Sequence, residues 1–407
     1  MGGNVVVGKC WGARSPWQNR QALAGNTASG SKRQKEKRNG TKVNCLKKWT
    51  MAVAIVLTVL LMAQGCAGAP ASTGRGPAAG QATSLNGAGA TFPYPLYSKW
   101  FDVYATQTGV KVNYQSIGSG GGITQITQGT VDFGASDGIM TPEQQSAAEA
   151  GHGPILHIPM TSGSVAVIYN LPGISTGQVK LGGDTLADIY LKKIAKWNDP
   201  RIGALNPGVN LPGTDIALVH RADGSGTTNI FTNYLSKVSD EWKTRVGAAN
   251  SVNWPGDIGG QGNEGVAGQV QQLPGAIGYV ELAYAKQNGL TWVALKNRAG
   301  NFVQPSVAAT SKASDGVALP DDMKVMITDS SNPDAYPIAG FTWILAYVNQ
   351  TDQARGAALV NMLWWAIHDG QQYCQSLDYG ALPASAVTRA ENEILSIKYQ
   401  GQPLKQR

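Results

Sequence analysis

The chain has 407 residues, 51 of them glycine, with 14% charged and 42% hydrophobic side chains. That balance fits a turn-rich α/β protein with a sizeable core and does not suggest disorder. The formal charge of +7 is uneven: residues 1–65 hold eleven Lys/Arg against the single Glu36, and beyond them 22 basic residues face 25 acidic ones. A slightly acidic globular part gives no support for nucleic-acid binding.

Residues 1–50 read as unstructured, with a basic run from Lys32 to Arg38. Lys47 and Lys48 precede an apolar run from Met51 to Ala63, too short for a resident membrane helix and of the length of a signal-peptide core. The run closes on Leu61-Met62-Ala63-Gln64-Gly65-Cys66, which resembles a bacterial lipoprotein cleavage box with Cys66 as the lipidated first residue. Ordinary secretion with an incidental cysteine is the alternative. Residues 1–65 are therefore expected to be a basic lead and lipoprotein signal peptide, and 66–84 the lipidated cysteine and a flexible tether. Cys10 and Cys45 fall in the lead, so only Cys374 remains in the body, and neither a disulfide framework nor a thiol metal site is expected.

The first folded signal runs from Leu85 through Thr91-Phe92-Pro93 to an apolar helical face made by Leu96, Tyr97, Trp100, Phe101 and Tyr104. Thr91 and Phe92 thus precede a helix start, where backbone N–H groups lack internal partners and the dipole favours an anion. Lys111 to Tyr114 reads as a strand. Ser119 opens a second helix through Ile123 and Ile126, and Val131 to Asp137 reads as a strand entering a turn. Thr141-Pro142-Glu143-Gln144 has the form of a capping box. Ile155 to Pro159 and Val165 to Tyr169 read as two strands with Thr161-Ser162-Gly163 between them, and a first crossover between lobes is placed there. The spacing of Leu186, Ile189, Tyr190, Ile194 and Trp197 predicts one helix over 183–200.

Ile216 to Val219 reads as a buried strand, and Arg221-Ala222-Asp223-Gly224-Ser225-Gly226-Thr227 leads from it into a helix. Glycines let the backbone approach a ligand, and Ser225 and Thr227 add hydroxyls. A carboxylate would repel an anion, so Asp223 is read as holding the Arg221 guanidinium in a bidentate grip; a helix cap with a surface ion pair is the plainer alternative. Ser239 starts a further helix, the glycines of 259–265 mark a turn before another, and Leu273 to Val280 is a turn into a strand. A second crossover is placed near Ala335-Tyr336-Pro337, before a strand from Phe341 to Val348 and a C-terminal helical part. Alternating strands and helices indicate an α/β architecture.

Three helix-start seats, at 91–92, 119 and 225–227, together point to one small oxyanion held in a crevice between lobes. The segments Gly87 to Pro93, Ile117 to Gly122, Val131 to Asp137 and Arg221 to Thr227, extended by Leu273 to Glu281 and by Asp378 to Pro383, resemble the phosphate-binding protein of the bacterial high-affinity phosphate ABC importer. The resemblance runs from about 85 to about 400 and implies a type II-like, two-lobed periplasmic-binding-protein fold. Each lobe would be a mostly parallel sheet flanked by helices, 85–162 plus 337–407 as lobe I and 163–336 as lobe II, joined by two crossover strands. It also implies that Thr91, Phe92, Ser119, Ser225, Gly226 and Thr227 bind phosphate through N–H and hydroxyl groups, that Arg221 is the charged donor oriented by Asp223, and that Asp137 is the lone acceptor. Phosphate near pH 7 carries a proton to donate to that carboxylate; sulfate does not, and would meet it charge to charge.

The implied partners are inorganic phosphate, a membrane permease of an ABC importer and the membrane through a lipid anchor, for a monomer without cofactor or metal. His220 and Gly138-Ile139-Met140 depart from the family pattern. Two other functions remain. A phosphate-sensing or adhesive surface lipoprotein would share the fold. A serine esterase would use Ser136, since Gly134 to Gly138 fits G-x-S-x-G, with His368 as the late histidine.

Overall fold

The computed structural model describes Gly80 and residues 82–405 apart from Asp257 and Gly316, within one compact unit, Ser72–Arg407. The basic lead, the signal-peptide run and Cys66 lie outside the described residues. Ala82 N–H already bonds to Ala354 O at 3.1 Å, and the first strand, Ser84–Gly89, follows at once.

The principal sheet has nine strands among the described residues. One end is parallel: Lys111–Ser116 and Phe133–Ser136 flank Ser84–Gly89. The other end is parallel as well, with Ala217–Arg221 between Ala276–Glu281 and Ile258–Gly260. Two antiparallel strands join them. Ala339–Tyr347 pairs with Phe133–Ser136 on one side and with the 155–164 half of the long strand Ile155–Tyr169 on the other. The second half of that long strand, Val165 to Tyr169, pairs with Ala276–Glu281. One chain segment therefore belongs to both ends of the sheet.

The expectation of two strands across 155–169 is replaced by one. Thr161-Ser162-Gly163 stays extended because its backbone is paired with Gly340, Phe341 and Thr342, the ladder absorbing a bulge between Thr342 and Trp343. Cooperative pairing overrides the turn chemistry of Ser and Gly. The single helix expected over 183–200 is likewise shorter. It spans Gly183–Tyr190, Lys192 adopts a left-handed φ of 57°, and Asp199 caps a new helix, Pro200–Leu205, with Pro200 in its first turn. Ile194 and Trp197 are still buried; they reach the core from a loop that mimics helical spacing.

Other elements follow from local chemistry. The first helix, Tyr94–Thr108, buries Leu96, Tyr97, Trp100, Phe101 and Tyr104, the apolar Leu96 and Phe101 each contributing about 1.5–3 kcal/mol relative to exposure. Thr141 and Gln144 form the reciprocal capping box of helix Pro142–His152. Cys374 is buried between two short 3₁₀ turns, with Thr161 Oγ1 at 3.7 Å from its sulfur, and burial pushes its thiol up to about 12. It is a packing residue.

Candidate functional site

Helix Ser119–Thr127 and helix Gly226–Val238 meet start to start. Gly120 N–H donates to Gly224 O at 2.8 Å. Ser119 Oγ accepts from the N–H groups of Asp137 and Gly226 at 3.2 and 3.0 Å. This closeness requires glycine: a Cβ on Gly226 would lie 2.6 Å from Asp137 atoms, and one on Gly118, whose φ is 85°, would lie 2.3 Å from an Asp223 oxygen. Ser225 Oγ caps its helix by accepting from Thr228 N–H at 3.0 Å, and its own N–H goes to Asn250 O at 2.7 Å. Its hydroxyl proton is the group it has left to offer.

Thr91 and Phe92 are pinned by phenols. Tyr284 OH donates to Thr91 O at 2.7 Å and Tyr379 OH to Phe92 O at 2.6 Å. Packing against Gly163 of the long strand fixes the Phe92 ring, since a Cβ there would fall 2.5 Å from its Cζ. Thr91, Phe92, Ser119, Asp137, Arg221, Ser225 and Thr227 are all buried. The folded chain gathers every seat singled out in the sequence.

Arg221 is 3% exposed at the end of strand Ala217–Arg221. Its Nε and Nη2 donate to the two oxygens of Asp223 at 2.7 and 2.5 Å, and its Nη1 reaches Thr227 Oγ1 at 3.4 Å. The fork fixes the guanidinium plane. Burial works to raise the Asp223 carboxyl, but the bonds and charge of Arg221 and the Gly262 N–H outweigh it and hold the group below the ordinary carboxylate range. Tyr279 OH accepts from Arg221 N–H at 3.2 Å. His220 stacks on Trp254 at 5.1 Å and contacts Arg221 O through Nδ1 at 2.9 Å.

Asp137 is the contrasting carboxylate. It is 1% exposed, and Thr342 Oγ1 donates to its Oδ1 at 2.8 Å. Burial pushes its carboxyl from 3.8 up to about 7, against the pull of the Thr342 bond, the Arg221 charge and the Ser119 hydroxyl. The arrangement is thus rich in donors, with one cation, one ionised carboxylate already engaged by that cation, and one carboxylate poised to share a proton. It suits a small oxyanion that can itself donate.

Two polar residues at the site escaped the sequence reading. Thr342 sits within a strand and carries no local signal. Asn263, near the start of helix Gly262–Gln272, is fully buried and reaches both Thr91 and Thr227; the run Gly262-Asn263-Glu264-Gly265 was its only hint.

The esterase geometry is not formed. Ser136 Oγ donates to Gly138 O at 2.5 Å and accepts from Gly138 N–H at 3.1 Å. His368 is engaged with Trp364 O and Glu391. Among the described residues no hydrogen bond joins Ser136 to a histidine, and no cluster of His, Cys, Asp and Glu is fit for a metal.

Comparison with known proteins agrees with this architecture. The PBP superfamily domain matches residues 72–360. The phosphate-binding protein PstS of Pasteurella multocida is 47% identical over 315 residues, covering 76% of this chain and 90% of that protein. PstS of Haemophilus influenzae is 45% identical over 315 residues, 77% and 93% of the two chains. Among solved structures, a high-affinity periplasmic phosphate-binding protein bound with phosphate superimposes with a TM-score of 0.62 at 20% identity, covering 76% of this chain and 93% of its own. The phosphate-binding protein from Stenotrophomonas maltophilia gives 0.60 at 18%, covering 76% and 94%. The fold is the two-lobed periplasmic-binding-protein fold, and the chain belongs to the PstS family of phosphate-binding proteins.

Proposed function

We propose that this protein captures inorganic phosphate between its two lobes and delivers it to the membrane permease of an ABC importer, without covalent chemistry. The observation that carries the reading is the pairing of a fork-held, buried Arg221 with a separate buried carboxylate, Asp137, at the meeting of two helix starts. Backbone N–H groups of Phe92, Ser119 and Thr227, the hydroxyls of Thr91, Ser119, Ser225 and Thr227, and the guanidinium supply the donors, while the Gly226 N–H expected among them is taken by Ser119 Oγ. Asp137 accepts the proton that phosphate retains near neutral pH. A site that requires a ligand proton rejects an analogue lacking it by roughly 10⁴–10⁵.

The lobes are assigned as 85–162 plus 337–407 and 163–336. The division of the long strand supports this, because its pairing partners change between Ser164 and Val165. The protein acts outside the cytoplasm as a monomer, tethered through a lipid on Cys66. No described helix is long and apolar enough to cross a membrane, and the family's extracytoplasmic role supports the placement. Replacing Cys66 with Ala and following incorporation of labelled palmitate tests the anchor; equal labelling of both proteins would refute it.

Calorimetric titration of residues 67–407, freed of bound anion, with phosphate and then sulfate at pH 7 tests the binding reading. Tight phosphate binding with no sulfate heat is expected. Equal binding of the two anions would remove the role given to Asp137, and silence with both would remove the function.

A further inference from the structure

We infer that Asn263 is a positioning residue that turns the hydroxyls of Thr91 and Thr227 into obligate donors. The inference rests on the phosphate-binding reading and adds a residue that makes no assumed contact with the anion.

The Asn263 amide can face only one way. Its Oδ1 accepts from the backbone N–H of Glu281 at 2.9 Å. A backbone nitrogen only donates, so the oxygen must stand there and Nδ2 must face the other way. Nδ2 lies 2.6 Å from Thr91 Oγ1 and 3.2 Å from Thr227 Oγ1. Thr91 Oγ1 also accepts from the Asn263 backbone N–H at 3.3 Å, and Thr227 Oγ1 from Arg221 Nη1 at 3.4 Å.

A hydroxyl has two lone pairs and one proton. With both lone pairs met by N–H donors, each threonine has only its proton left to place. Neither hydroxyl can then rotate to present a lone pair to an anionic oxygen. The asymmetry of the site, many donors and one acceptor, is in this way written into its hydroxyls and does not depend on the ligand turning them. The same turn serves Arg221, since Gly262 N–H donates to Asp223 Oδ1 at 3.1 Å. Asn263 also spans the two proposed lobes, Thr91 belonging to one and Thr227 to the other.

The test is Asn263→Asp, which keeps the shape and the oxygen facing Glu281 but replaces the donating nitrogen with an accepting oxygen. The two threonine protons are then drawn to that carboxylate and away from phosphate. Phosphate affinity relative to wild type, measured at each pH by titration, is expected to fall at least about 100-fold at pH 8, a loss of about 2.7 kcal/mol. The gap should narrow as the pH falls toward 5 and the introduced carboxyl gains a proton with which to donate. It should also shrink by about tenfold or more in a Thr91→Val background, where the principal hydroxyl is gone.

A gap unchanged by Thr91→Val would overturn the inference, since repulsion by the new charge would then explain it without the hydroxyl, and a gap independent of pH would overturn it because the state of the introduced carboxyl would then not matter. An affinity within threefold of wild type would do the same. Should Asn263→Asp fail to fold, Thr91→Val alone decides. A loss of about tenfold or more supports a donating hydroxyl, and a loss under threefold overturns it. Wild-type protein silent toward phosphate would bring down the binding reading itself, and the inference with it.

Discussion

Two carboxylates stand in this site, both swept by the charge of Arg221, and their surroundings drive them in opposite directions. Asp223 receives two guanidinium bonds and the Gly262 N–H, which keep it ionised despite burial. Asp137 is met only by neutral hydroxyls, those of Thr342 and Ser119, and feels the Arg221 charge without a direct bond, so desolvation dominates and its carboxyl rises to about 7. The difference teaches that burial alone does not fix the state of an acid; the number and charge of its donors do. One carboxylate is spent on aiming the cation. The other keeps its capacity to exchange a proton, which is what a phosphate-selective site needs.

The strongest way to break this contrast is Arg221→Met. It removes the cation and leaves Asp223 buried without its partner, so phosphate binding should weaken by at least about 10³-fold, and removing one partner of a buried pair costs about 3–5 kcal/mol of stability. Titration and thermal unfolding read the two losses. A loss of less than about tenfold would show that helix starts and hydroxyls suffice without the guanidinium.

Next in size is Asp137→Asn. The variant's neutral amide can still accept the phosphate O–H through its oxygen, but it no longer repels sulfate and can turn its NH2 toward an anionic oxygen, so the affinity ratio between the two anions should narrow by about 100-fold or more. The same variant tests the titration. Because folding raises the Asp137 carboxyl, the folded state holds its proton more tightly than the unfolded chain. The contribution is full below about pH 4 and is lost as pH rises through about 7, with a magnitude on the order of 4 kcal/mol. Ligand-free Asp137→Asn should therefore match wild type near pH 4 and melt higher at pH 8 by about 5 °C. Identical melting curves at both pH values would mean that Asp137 is not desolvated as the fold implies.

The smallest effect belongs to Thr342→Val, which removes the hydroxyl that donates to Asp137 Oδ1. The carboxyl should rise further, and phosphate affinity at pH 7 should change by roughly three- to tenfold. A change confined to stability, with affinity and its pH profile untouched, would show that Thr342 only packs.

Much of the site was legible in the sequence because helix starts are local. Ser225 capping its own helix through Thr228, the fork between Arg221 and Asp223, and Thr141 with Gln144 all join residues within three positions. Asn263 and Thr342 were not legible for the opposite reason. Their partners lie as far as 172 and 205 positions away, and nothing in a run of five or ten residues records which distant hydroxyl or carboxylate an amide will meet.

The same physics separates the two kinds of knowledge along the whole chain. Helical faces such as Leu96 to Tyr104, caps and glycine turns depend on neighbours a few residues apart, so composition and spacing determined them. The uninterrupted strand Ile155–Tyr169, the break at Lys192 and the up-shifted acid at Asp137 were decided only in the folded state. There pairing with a remote strand, packing into a shared core and exclusion of water act on each residue through groups the sequence places far away.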